Sequence, residues 1–196
     1  MKHAKTMTLR GCLALVLVLL AAGCLGPRPG DSGSNPLSAS DEANMDSSAT
    51  WALNELYAGN PAARDLGRKA KAILVFPDVV KGGFMIGGQV GNGVLRRKGR
   101  SVGYYNLTAA SYGFQAGLQS FGYALFLMNS SAMDYLNNSG GWEVGVGPSL
   151  VVVDEGMAQT MTSTTLRHDV YAFVFGQHGL MAGAGLQGSK ITRLDR

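Results

Sequence analysis

Cysteine is almost missing from this chain, and both copies, Cys12 and Cys24, stand before residue 25. A disulfide framework, a thiolate metal site and a cysteine nucleophile are therefore excluded from everything that follows. The remainder must fold on its core alone. Charge is also scarce, at 15% of residues, and from Ser101 to Met133 there is none at all. No G-x-S-x-G elbow occurs, and no His, Asp or Glu set has a recognised metal spacing. No cofactor is expected, and the reading is of a non-enzyme. Glycine, by contrast, is abundant at 28 of 196 residues without a Gly-X-Y period. Among many Val, Tyr and Phe residues it indicates tight turns and curved strands.

The first residues read as an export signal. Lys2, Lys5 and Arg10 make a positive start, Gly11 to Ala22 is apolar, and small residues precede Cys24. The apolar stretch is too short for a stable transmembrane helix. Leu20-Ala21-Ala22-Gly23-Cys24 resembles the bacterial lipobox, with Ala21 where leucine is favoured. That resemblance implies lipidation of Cys24 and an acyl anchor in a membrane. Leu25 after the cysteine, in place of aspartate, implies the outer membrane, with the protein facing the periplasm. Loss of the three leading cations leaves 14 basic residues against 13 acidic ones, so the exported protein is nearly neutral.

Domain boundaries are expected at 1–23 for the signal, 24–45 for a flexible tether rich in Gly, Pro, Ser and Asn, and 46–196 for the folded domain. Asp46 or Ser47 is the expected cap of a first helix carrying Ala49, Ala52, Leu53 and Leu56. Asn60-Pro61 restarts a second helix, with Asp65 and Lys69 as an i,i+4 pair. Strand signals then succeed one another. They are Ile73–Phe76 stopped by Pro77, Gly83–Leu95, Ser101–Leu107, Tyr112–Gln119, Phe121–Met128, Val144–Val153, Val170–Gly176, Leu180–Gln187 and Ser189–Leu194. Ser130–Asn138 reads as a short helix. The fold class is α+β: two N-terminal helices and a mostly antiparallel, Gly-rich curved sheet closing into a barrel or sandwich.

The densest charge feature holds Arg64, Arg68, Lys69, Lys71, Lys81, Arg96, Arg97, Lys98 and Arg100, opposed only by Asp65 and Asp78. If these converge, the surface attracts anionic head groups at about 1 kcal/mol per cation near a charged membrane. Nucleic acid is a poor partner for an exported, anchored domain. Gly183 to Gly188 matches G-x-G-x-x-G, but only eight residues follow it, so a Gly-bent strand is expected instead of a dinucleotide site. His168, Asp169 and His178, with Asp154 and Glu155, read as turn residues. Trp51, Tyr57 and Trp142 are expected to fill or cover the core, with anchoring at a membrane interface as the alternative.

Lys69-Ala70-Lys71-Ala72-Ile73-Leu74-Val75-Phe76-Pro77 resembles the signature of the SYLF-domain family. The resemblance continues through Lys81-Gly82-Gly83-Phe84, Gly87-Gly88, Gly91 to Leu95, Ser111 to Gly117 and Gly179 to Ser189. It covers about Trp51 to Asp195. It implies lipid binding: eukaryotic members bind phosphoinositides through a basic surface and an amphipathic N-terminal helix, and some bind actin. By position, Lys69, Lys71 and Lys81 fall in the family's basic signature. In a periplasm the anionic partner becomes phosphatidylglycerol, cardiolipin or a lipid A phosphate. The alternative is a structural envelope protein that binds another protein or peptidoglycan. An integral outer-membrane barrel is disfavoured, because Leu194-Asp195-Arg196 lacks the terminal aromatic usual in such barrels.

Overall fold

Residues 37–138, 142–143, 147–153 and 168–194 are described by the computed structural model. Helix α1 (Ala39–Gly59) opens on a reciprocal cap. The Ser38 hydroxyl accepts from the Asp41 N–H at 3.2 Å, and the Asp41 carboxylate accepts from the Ser38 N–H at 3.2 Å. Two orphan N–H groups of the first turn are thereby satisfied. The helix thus begins seven residues before Asp46, and the expected tether boundary at 45 falls inside it. Apolar spacing did not reveal this start, because Ala49 is the first buried residue. The cap and the acids Asp41 and Glu42 hold the early turns, aided by the positive end of the helix dipole.

Helix α2 (Pro61–Lys69) follows as expected. Asn60 donates its N–H to the Leu56 carbonyl at 2.9 Å and accepts from the Ala63 N–H at 3.0 Å, closing one helix and capping the next. The chain then continues through β1 (Ala72–Arg97), β2 (Arg100–Leu127), helix α3 (Ser130–Asn138), β3 (Trp142–Glu143), β4 (Leu150–Val152) and β5 (Val170–Arg193). The sheet order is β1-β2-β5-β3, antiparallel throughout, with β4 added to β5 in parallel. The α+β class is therefore borne out, with a mixed sheet. Among the described residues no helix is long and apolar enough to cross a membrane.

The strands are far longer than the sequence signals that predicted them. Pro77 was expected to stop a strand and does not. It sits in β1, an edge strand, where its missing N–H interrupts no outer ladder. The register also slips between Phe76 and Val79, so Pro77 lies in a bulge. The predicted breaks within 101–128 are likewise absent, and one strand runs from Arg100 to Leu127. The connection from β1 to β2 is a two-residue turn. Lys98 and Gly99 have φ of 52° and 77°, the doubly left-handed geometry that matches strand twist.

This three-stranded ribbon folds back on itself midway. A Cβ built on Gly93 would lie 2.5 Å from Cδ1 of Phe76, one on Gly91 2.9 Å from the Asp78 carbonyl oxygen, and one on Gly83 2.3 Å from Cα of Gly87. Residues early and late in β1 thus lie against each other. The bend centres on Met85, whose φ is 61° and which stands at a register slip against β2.

Two cores result. Between the layers lie Leu74, Phe76, Val79, Leu95, Tyr105 and Ile191, with Leu136 of α3 and Trp142 in the same cluster. In the other, Val75, Phe126 and Phe173 of one half of the ribbon and Val94 and Tyr104 of the other half pack with Leu53, Leu56 and Leu66 of α1 and α2. Phe126 meets Phe173 edge-on with ring centroids 5.2 Å apart. Tyr123 is buried deeply enough that its phenol is pushed up to about 12. Of the expected core aromatics, Trp142 is buried and Tyr57 half-buried, but Trp51 is exposed.

Candidate anion-binding groove

Because the ribbon doubles back, the residue before β1 and the turn after it meet at one end of the domain. Lys71, Arg97 and Lys98 line a groove of about 480 Å³ with Ser130, Asp134 and Asn137 of α3. Each is positioned by a distinct device. Lys71 follows the last turn of α2, and its N–H donates to the Leu127 carbonyl at 2.9 Å. Its ammonium donates to the Ser130 hydroxyl at 2.6 Å. Arg97 and Lys98 stand at the hairpin turn and are exposed. Asn129 caps α3 by accepting from the Ala132 N–H at 3.0 Å, so the partly positive start of that helix faces the Lys71 side of the groove. Three cations, a hydroxyl and one carboxylate, Asp134, therefore share a single concavity. Such a set suits a phosphate-bearing head group.

The remaining basic residues do not join it equally. Arg100 pairs with Arg97 across the turn and extends the positive end. Lys69 is exposed in the last turn of α2, two residues before Lys71. Arg68 is ion-paired with Asp65, and this i,i+3 contact takes the place of the expected Asp65–Lys69 pair. Arg64 donates to the Tyr57 carbonyl at 2.6 Å. Arg96 points away from the groove. Its Nη2 donates to the Asp46 carbonyl at 2.5 Å and to the Thr50 hydroxyl at 2.6 Å, tying the sheet to α1. Lys81 lies ten residues along β1 from Lys71, near the bend. The sequence reading missed Ser130, Asp134 and Asn137, because nothing local announces that α3 closes this end.

Of the residues read as turns, His168 and Asp169 do precede β5 in a polar loop, whereas His178 is in a strand. The Asp169 carboxylate accepts from the Ser149 N–H and hydroxyl, both at 2.8 Å, and from the Asn129 side chain. These bonds, the Ser149 N–H foremost, hold its carboxyl below the usual range. His168 is exposed and meets the Tyr171 ring edge-on. His178 lies within β5, opposite Ser120. Asp154 and Glu155 fall outside the described residues, as do Cys24 and the signal. Gly183 to Gly188 pairs with Gln115 to Ala110 of β2, so the glycine motif is strand. Among the described residues no three His, Cys, Asp or Glu side chains gather to hold a metal. A second concavity, of about 620 Å³, lies between the end of α1 and β5. Glu55 is its one charged lining group beside Leu56, Val153 and Phe173. That charge opposes an anionic guest.

No curated protein matches the chain. The family model described as Ysc84, Las17-binding protein actin regulator, matches residues 108–196, from the middle of β2 through β5. This family is associated with lipid binding and actin regulation. Residues 108–196, which hold most of β2, the closing helix and β5, thus match the SYLF (Ysc84) domain family.

Proposed function

We propose that the domain is a non-enzymatic lipid-binding module that takes the phosphate of an anionic head group into the groove at the open end of the ribbon. The observation that carries this reading is the convergence of Lys71, Arg97 and Lys98 on one concavity. Lys69 and Arg100 supply additional positive charge at that end. The proposed site is narrower than the nine-residue set of the sequence reading. Arg96 and Arg64 already donate to α1, Arg68 is ion-paired, and Lys81 is remote. By resemblance to the lipobox, Cys24 carries an acyl anchor that holds the domain at the periplasmic face of the outer membrane. The head group is then phosphatidylglycerol, cardiolipin or a lipid A phosphate.

The test is co-sedimentation of the unit Pro36–Arg196 with neutral vesicles and with vesicles containing phosphatidylglycerol or cardiolipin. Binding is expected only to the anionic vesicles and is expected to weaken with salt. Reversing all three charges, Lys71→Glu, Arg97→Glu and Lys98→Glu, should abolish it while the far-UV circular dichroism stays unchanged. Undiminished binding by this variant would dismiss the groove as the site.

A further inference from the structure

The opposite end of the ribbon has contrary chemistry. At the bend, Phe84, Ile86, Tyr112 and Leu118 are exposed to 76%, 69%, 69% and 65%, and Met85 to half. Phe84 pairs with Ala116, Ile86 with Tyr112, and Gly82 with Leu118, so these side chains crowd one tip of the hairpin. Exposed apolar residues scattered singly need no explanation, but a cluster of five at one apex does.

Charge around the tip is distributed to match. From Val79 to Met133 the chain has no Asp or Glu, and from Val79 to Leu95 its one charged residue is Lys81. The neighbouring stretch of β5, Val170 to Ser189, has no Asp, Glu, Lys or Arg, with His178 as its one ionisable imidazole. Lys81 pairs with Gln119, and His178 with the adjacent Ser120, so both basic groups stand at one level below the apex. Lys81 is four residues from Met85, about 13 Å at roughly 3.3 Å per residue. The hydrocarbon half of a bilayer is about 15 Å deep. Among the described residues acid returns farther from the apex, at Asp78 in β1, at Glu55 of α1 beside Gly176, and at Glu143 opposite Lys190.

We propose that this bend is a bilayer-inserting tip: Phe84, Met85, Ile86, Tyr112 and Leu118 enter the acyl region of a leaflet, with Lys81 and His178 at head-group depth. The β1–β2 ladder runs to Phe84 and resumes at Ile86, and β2 stays paired with β5 across the apex, so the outer edge of β1 is the part of the tip that enters without a ladder partner, which limits insertion to a shallow depth. Lys81 reaches the surface along its aliphatic stem. The tip is distinct from the groove and shares with the proposed function only a lipid partner.

The experiment uses the full chain reconstituted on phosphatidylcholine vesicles, so that attachment does not depend on the groove. Phe84→Trp adds a reporter above the constant emission of Trp51 and Trp142. Tyr112→Trp, on the neighbouring strand, is a second reporter should the first disturb folding. The added emission is expected to shift to the blue and to be quenched by lipids brominated along their acyl chains. Quenching should persist in the groove variant Lys71→Glu/Arg97→Glu/Lys98→Glu, which separates failure of one site from failure of the other. Replacing Phe84 and Ile86 by Ser in the Tyr112→Trp chain should weaken the quenching about tenfold or more. Emission from both reporters that stays unquenched overturns the proposal. Blue-shifted but unquenched emission that follows protein concentration assigns the tip to a second copy of the chain, and overturns it equally.

Discussion

Arg96 and Arg97 are adjacent in sequence and opposite in role, and replacing each by alanine separates the two. Arg96 is half-buried, and its Nη2 makes two bonds to α1, to the Asp46 carbonyl at 2.5 Å and the Thr50 hydroxyl at 2.6 Å. Beside them the Ser101 hydroxyl donates to the Asp46 carboxylate at 2.6 Å, so this end of α1 rests on a shared polar patch. A hydrogen bond from a charged donor contributes about 1.5–3 kcal/mol. Two would give up to about 6 kcal/mol, but one acceptor is exposed, and the buried Nε of Arg96 has no partner and costs stability in the native state. Arg96→Ala is therefore expected to lose about 2 kcal/mol net, which lowers the midpoint of a domain this size by about 4–8 °C. Arg97→Ala and Lys98→Ala are exposed and should stay within about 0.5 kcal/mol of the parent. Thermal and urea unfolding followed by circular dichroism decides the matter. Arg96→Lys, which keeps the charge but not the two-pronged reach, should fall between. If Arg96→Ala melts with the parent, or Arg97→Ala falls as far, the assignment of Arg96 to the α1 contact is wrong.

Other perturbations test the folding-over of the ribbon and its buried groups. Gly93→Ala places a methyl 2.5 Å from the Phe76 ring and 2.7 Å from the Val75 carbonyl oxygen, and should cost about 1–3 kcal/mol in urea unfolding. Gly99→Ala meets nothing within 4 Å, so its loss, about 1 kcal/mol, comes from the positive φ alone. Asp169→Asn weakens three bonds and should cost about 1–2 kcal/mol at neutral pH. The folded carboxyl titrates below its unfolded value, so this stabilisation is present above about pH 3.9 and is lost as pH falls through the folded pKa. The Asn variant should lack that acid dependence. For Tyr123 the sign is reversed: above pH 10 the unfolded phenol ionises while the folded one holds its proton to about 12. Stability should therefore drop between those values, and Tyr123→Phe should flatten the drop in alkaline urea titrations.

Short-range signals in the sequence survived, and long-range ones did not. Asn60-Pro61 and Ser130–Asn138 were legible because a cap and a few turns of periodicity suffice. The start of α1 was not, since its Ser38–Asp41 box precedes any buried residue. Pro77 misled because a proline stops a central strand but not a bulged edge, and edge position depends on a sheet order that local pattern does not contain. The glycines were read correctly as marks of curvature. Their scale was missed: Gly83, Gly91 and Gly93 permit the ribbon's own halves to touch, a contact between residues up to 18 apart in one strand. The basic residues were all visible, but their grouping depended on that fold. Alternation within a strand sends Arg96 to α1 and Arg97 to the groove, and only the reversal at Met85 brings Lys71 beside Lys98.

The doubled ribbon gives the domain two ends of opposite character. Lys71 and Arg97 bracket β1 at one end, and Met85 marks the other, about 40 Å away along the strand at roughly 3.3 Å per residue. The two halves of β1 are held together by close contacts at Gly91 and Gly93, so the ends do not approach one another without breaking the inter-layer core. A single flat leaflet met end-on thus touches one end at a time. Attraction at the groove is electrostatic and weakens with salt. Attraction at the tip scales with apolar area and persists in salt. If groove and tip bind as proposed, ionic strength would select between orientations: low salt and anionic lipid would favour the groove, and high salt or neutral lipid would leave the tip.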